Sequence, residues 1–272
     1  MLQGRMPDIF DFWAECRPDA HVHPADAKVL GRVAHQFELG CLPIAFTGPL
    51  RTAPVVLLFL SPGLAEDDAE HAATERRQAW YGFQRTGWAP FPTRDDYAPA
   101  WGWWAKIVQQ FNVEPEAARD KIAVLNIGAY HSKSFNDWHM LTALPSSRVT
   151  MDWAQSVLFP QAESGERVVV CLRSAKLWGL EKDGDNGRTL YAPKHGRSGI
   201  MHKGLMRDEI SVTVKKACGL WTEHDHHPQE RFGWSDMSQI RPLNPDGTPM
   251  NAEQVAEIAR YHASKNGDDE PS

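Results

Sequence analysis

No stretch of this 272-residue chain approaches the run of about 18 apolar residues that a membrane-spanning helix requires. Nor does its opening, MLQGRMPDIFDFW, pair a basic start with an apolar core, so no secretory signal is expected and a cytoplasmic protein is. Cysteine is scarce. Cys16, Cys41, Cys171 and Cys218 lie far apart with no CxxC pair, which excludes a zinc ribbon or a thioredoxin-like motif and predicts reduced, structural thiols. Positive charge is short as well: 29 Lys and Arg against 35 Asp and Glu give a net charge of −6, which excludes a polycation that coats nucleic acid but leaves room for a local basic patch. GxGxxG, Walker A and GxSxG motifs are missing, which removes nucleotide hydrolysis and serine-hydrolase chemistry of those types. Two histidine groups, His21 with His23 and His224-Asp225-His226-His227, lack the helical i, i+4 spacing and matching carboxylate of a metal site, and residues 184–187 read as a tight turn rather than a calcium loop. Neither a metal nor a cofactor is expected.

What the chain does have is a set of apolar runs that end abruptly. VVLLFL at 55–60 stops at Ser61-Pro62-Gly63, as an interior strand covered on both faces would. KIAVLNIGAYHS (121–132), ERVVVCLRSAKLWGL (166–180) and GRTLYAPKHGRSG (187–199) repeat the pattern, the third running on into a helix. Between them lie helical stretches. AWGWWAKIVQQF sets Trp104, Ile107, Val108 and Phe111 on one face, and LPSSRVTMDWAQSVLFPQ offers serines placed to cap a helix. Residues 1 to about 50 read as a helical lead-in in which Asp8 caps a segment and Val29, Val33 and Phe37 keep helical spacing before Gly40. The connection 64–100 is too long for a simple loop and predicts a short helix and a pocket wall, with a helix starting near Leu64 whose first turn carries Glu66, Asp67 and Asp68. The alternation predicts an α/β chain, a three-layer α/β/α sandwich on a short, mostly parallel central sheet. Residues 1–220 form one domain in this reading, with its core at about 40–215, and 221–272 an irregular C-terminal extension with a short helix at 251–263.

In a parallel sheet all the strand ends that carry polar residues face one crevice. Those ends are Ser61-Pro62-Gly63, Asn126 with Tyr130-His131-Ser132, Arg173-Ser174, and His195 with Arg197-Ser198. Taken in order, FLSPG, IAVLNIGAY, VVVCLRSAKLWG and LYAPKHGRSG resemble the four motifs of the uracil-DNA glycosylase superfamily. The lead-in LPIAFTGPLRTAPVVLLFLSPG is similar to a divergent bacterial branch of it whose activity is open.

The resemblance implies a DNA-repair hydrolase that cleaves an N-glycosidic bond, with DNA or a nucleotide as partner. Ser61 stands where the family carries the Asp or Asn that handles water, and His195 stands for the histidine that donates to the departing base, with Lys194 inserted ahead of it. Asn126 would read the pyrimidine edge through its amide donor and acceptor. Pro62 and Gly63 would let the backbone approach the ligand, and Phe91 or Phe83 would stack on the base. Tyr130, His131, Arg173, Ser174, Arg197 and Ser198 would contact base or phosphates, with Lys133, Lys176, Lys194 and Lys203 adding to a basic strip. A serine holds water but does not take its proton near neutral pH as a carboxylate does. Two alternatives therefore stand beside catalysis by Ser61: a non-catalytic module binding nucleic acid or protein in the same cleft, and a small-molecule hydrolase that pairs Ser132 with a histidine.

Overall fold

A computed structural model describes residues 8–222. The strands are β1 (Phe46–Thr47), β2 (Val55–Phe59), β3 (Ile122–Asn126), β4 (Val168–Cys171), β5 (Gly184–Asp185) and β6 (Leu190–Ala192). The helices are α1 (Ile9–Ala14), α2 (Pro24–Leu30), α3 (Asp68–Ala72), α4 (Glu75–Gln84), α5 (Ala98–Gln109), α6 (Pro115–Ala118), α7 (Trp138–Ala143), α8 (Pro145–Trp153), α9 (Phe159–Ser164), α10 (Ala175–Trp178) and α11 (Leu205–Ala217), with a π-helical turn, Ala154–Leu158, joining α8 to α9.

One sheet runs in the order β1-β3-β2-β4-β6-β5. The inner run β3-β2-β4-β6 is parallel, whereas β1 and β5 pair antiparallel at the edges. The sheet is thus mixed, which corrects the expectation of a mostly parallel one. β5 shows the reason: it reaches β6 through a tight turn in which Asn186 N–H bonds Leu190 O at 2.9 Å, and a tight turn permits only antiparallel pairing.

Side chains alternate across each strand. Val55, Leu57 and Phe59 join Trp104, Ile107 and Val214 in one core, and Val56, Leu58 and Leu60 join Phe10, Trp13 and Trp153 in the other. Helices therefore cover both faces of an α/β fold, which is why the strands read as unbroken apolar runs. Trp104, Ile107, Val108 and Phe111 are all buried, as their spacing predicts. Asp8 caps α1, its carboxylate accepting from Phe10 N–H at 2.8 Å.

Three local expectations are corrected. The helix expected over 29–40 ends instead at Leu30 with Gly31 as cap, because Glu38 N–H is drawn to His131 O at 2.9 Å and the chain pairs with the loop after β3. Phe37 is still buried there, in a small cluster with Leu30, Tyr130 and Met140. Ser146 and Ser147 do not cap α8; both hydroxyls are buried inside its first turn without a partner, and Ser146 N–H goes to Asp26 Oδ1 at 3.0 Å. The helix expected near Leu64 begins only at Asp68 and has 5 residues. All four cysteines are buried and free. No helix among the described residues is long and apolar enough to cross a membrane. From residue 223 onward the reading of the C-terminal extension lies outside the described residues.

Candidate functional site

Because β2, β3, β4 and β6 are parallel, the loops that follow them share one edge of the sheet. A cavity of about 440 Å³ opens there, within the size range of small-molecule sites. The turn after β2 contributes Ser61, Pro62 and Gly63, and the end of β3 and the loop beyond it contribute Asn126, His131, Ser132 and Lys133. Arg173 comes from the loop after β4, and Arg197 and Ser198 from the loop after β6. The long 64–100 connection forms a wall with Arg77, Trp80, Phe91 and Tyr97.

Asn126 is fixed from behind. Its N–H bonds Ala45 O at 2.7 Å, and its side-chain Nδ2 donates to Ile44 O at 3.0 Å. One amide N–H and the Oδ1 acceptor then remain for the cavity, since neither has a partner among the described residues. The β2 turn is tied to β3 by Ile127 N–H to Phe59 O at 3.2 Å and Gly128 N–H to Leu60 O at 2.8 Å, which brings Ser61 beside Asn126 on the rim. A Cβ at Gly63 would meet nothing within 4 Å, so the space in front of that backbone is open. Phe91 lines the cavity while its ring lies stacked on Trp104, with centroids 4.1 Å apart and an interplanar angle of 10°.

His131 is buried, and its Nδ1 lies 2.6 Å from Gly63 O and 3.4 Å from Asp68 Oδ2. A carbonyl only accepts, so Nδ1 carries the hydrogen, and in the neutral ring Nε2 holds a lone pair. Nε2 has no hydrogen bond among the described residues. Asp68 is itself anchored by Ala65 N–H at 2.6 Å. Of residues 130–133, Tyr130, His131 and Ser132 are thus buried and Lys133 is exposed, so the loop is not the solvated segment that its polarity also allows.

Cations gather on the other side. Arg173 donates through Nη1 to Arg197 O. Burial, and then the charge of Arg197, hold its guanidinium below its ordinary value. Neither arginine has an ion pair among the described residues, and with Lys133 and Arg77 they make the cavity electropositive on an acidic chain.

His195, Tyr130, Ser174 and Phe83 do not line the cavity. His195 sits at the base of a turn, bridged to Met201, with Gly196 N–H on Ile200 O at 2.9 Å; this register sends Arg197 and Ser198 to the tip and keeps the His195 ring against its neighbour Gly196 O at 3.0 Å. Tyr130 is core: its hydroxyl donates to Asp26 Oδ2 at 2.7 Å and accepts from His23 N–H at 3.2 Å. Ser174 is spent on the start of α10, where it adopts φ 61°. Phe83 also lies away from the cavity, half exposed on α4. Ser132 Oγ is buried on the cavity wall with no hydrogen-bond partner, so it forms no pair with a histidine.

Sequence reasoning missed Arg77, which reads as surface charge in ERRQAW, and the pairing of Asp68 with His131, since Asp68 reads as an ordinary acid of a helix start. The crowding of aromatics in that connection was the one signal. His23 is a buried structural residue whose Nδ1 accepts from Ala25 N–H at 3.1 Å. No group of three or more His, Cys, Asp or Glu able to hold a metal occurs among the described residues, and the His224 cluster lies outside them. Compared with protein-family models, curated proteins and solved structures, the chain matches none of them.

Proposed function

We propose that the cavity holds a nucleobase against Asn126, with the attached phosphate on Arg173 and Arg197, and that the protein hydrolyses an N-glycosidic bond in DNA as a divergent relative of the uracil-DNA glycosylases. The observation that carries this reading is the asymmetry of the cavity at the strand ends. At the end of β3 lies an amide whose second N–H and Oδ1 have no partner among the described residues, aromatic rings form a wall, and two arginines without an ion pair among those residues follow β4 and β6. Neighbouring strands lie about 4.8 Å apart, so β4 and β6 are roughly 10 and 14 Å from β3, a span that suits a nucleotide laid across the strand ends.

Departure of the base leaves an oxocarbenium-like sugar and an anionic pyrimidine. Water attacks the anomeric carbon, the C–N bond breaks with its electron pair going to the base, and a proton leaves the water. Ser61 supplies a hydroxyl to orient that water, but the group equipped to take the proton is His131, whose Nδ1–H is held by Gly63 O beside Asp68. His131 thus takes the proton that a serine does not accept, Ser61 keeps the positioning of water, and the donation to the base expected of His195 falls to Asn126. The Asn126 amide and the nearby cations stabilise the charge that develops on the base.

The test is base release from a uracil-containing single-stranded oligonucleotide, with binding measured in parallel. Asn126→Ala should weaken both by about tenfold or more, the scale of losing one to two hydrogen bonds in a buried site. His131→Ala should cut release by about a hundredfold or more while binding persists. Absence of both binding and release would overturn the reading. Ser61 in place of a carboxylate favours one alternative, a non-catalytic nucleic-acid-binding module on the same fold. It predicts tight binding with no release and no effect of His131→Ala on what is measured.

A further inference from the structure

Arg77 is a cation that the fold places on the cavity wall and leaves unused. It lies within α4, half-buried, and its guanidinium carbon is 4.7 Å from the Trp80 ring centroid and 4.8 Å from that of Tyr97. Contacts of this kind engage the flat face of a guanidinium and leave its in-plane N–H donors available. None of those donors makes a hydrogen bond or ion pair among the described residues.

The nearby carboxylates are already engaged. Asp96 takes Arg76 at 2.9 Å together with the Thr93 hydroxyl at 2.7 Å, and Asp68 takes Ala65 N–H at 2.6 Å and faces His131. Burial pushes Arg77 down to about 10, against the opposing influence of Tyr81, Asp68 and Asp96, which leaves it charged at neutral pH. A half-buried charge with vacant donors is costly unless something completes it. Ser132 belongs to the same wall, but its hydroxyl is itself buried, without a partner among the described residues.

We infer that Arg77 recognises a planar carboxylate on the base, so that an acidic pyrimidine nucleotide is preferred over a neutral one. The inference rests on the nucleotide-binding reading, which already assigns the phosphate to Arg173 and Arg197 and leaves Arg77 without a role. A carboxylate accepts two parallel N–H bonds from the edge of a guanidinium, and the rings of Trp80 and Tyr97 hold that edge in place.

Calorimetric titration with uridine 5′-monophosphate and orotidine 5′-monophosphate tests this, since the two differ by one carboxylate on the ring. Orotidine 5′-monophosphate should bind about 10- to 100-fold more tightly, the range expected of a charge-assisted pair of bonds. Arg77→Gln should abolish that preference while uridine 5′-monophosphate still binds, weakened only by the loss of one wall charge, which also shows that the variant is folded. Equal affinity in the native protein, or a preference that survives Arg77→Gln, overturns the inference and leaves the nucleotide-binding reading standing. An Arg77-dependent gain seen instead with uridine 3′,5′-bisphosphate would mean a phosphate subsite and overturn the carboxylate assignment. If neither monophosphate binds, the underlying reading falls and the inference with it.

Discussion

Tyr130 and Asn126 follow the same apolar run only a few residues apart, yet one faces the cavity and the other is locked into the core. The difference is made by residues more than a hundred positions away: Asp26 accepts from the Tyr130 hydroxyl, and His23 N–H donates to it. Tyr130→Phe removes a donor from a fully buried carboxylate and an acceptor from a buried N–H at once. At about 1–3 kcal/mol for each unsatisfied group, with partial relaxation, the loss should be about 2–4 kcal/mol in urea unfolding, with nucleotide binding unchanged. A variant as stable as the parent, or one that binds nucleotide less well, would return Tyr130 to the site. Sequence separates these two residues poorly because polarity after a strand end is common to ligand groups and buried locks. The partner that decides between them is set by tertiary packing.

At the scale of elements, β2, β3, β4 and β6 were legible because each lies in an apolar run that ends at a turn, whereas the two-residue edge strands β1 and β5 carry no such run. The residues that follow β2, β3 and β4 could accordingly be located before any coordinates. The loop after β6 was legible only in part. Its histidine looked like the functional group, but the pairing of His195 with Met201 makes it a stem residue and Arg197 and Ser198 the tip. A loop's register depends on which backbone groups meet across it, and no local pattern records that. The same limit hid the fate of residues 31–40, where a bond to the His131 carbonyl overrides helical spacing. Gly199 fixes the β6 loop against the sheet: its φ is +81°, and a Cβ there would stand 2.7 Å from Phe59 Cε1. Gly199→Ala combines a left-handed backbone penalty of about 1–2 kcal/mol with overpacking of about 1–3 kcal/mol. Thermal or urea unfolding should register a loss of about 2–4 kcal/mol, and affinity for a 5′-phosphate should fall because Arg197 and Ser198 move with the loop. Unchanged stability would show that the loop is not seated on Phe59.

For the molecule as a whole, the acidic composition and the electropositive cavity are compatible because net charge is a property of the whole chain, while four of its cations, Arg77, Lys133, Arg173 and Arg197, line one cavity. The four cysteines are free, and the buried thiols and phenols fold in the neutral form. Burial pushes the thiols of Cys41, Cys171 and Cys218 up to about 12 from an ordinary value of 9.0, and burial also raises the phenols of Tyr81 and Tyr130. Unfolded, these groups ionise near their ordinary values; folded, they do not. A raised folded value contributes stability that is fully present below pH 9 and is lost as pH climbs from there toward 12. Cys171 is the cleanest probe, being 0% exposed at the end of β4 within the core beneath the sheet. Each such group steepens the decline by at most about 1.4 kcal/mol per pH unit. Urea midpoints measured at pH 7.5, 9 and 10.5 should therefore hold steady across the first interval and drop across the second, and Cys171→Ala should show a shallower drop from a lower starting stability. A midpoint that stays level to pH 10.5, or a slope unaltered in Cys171→Ala, would mean that the thiol is not held neutral inside the fold.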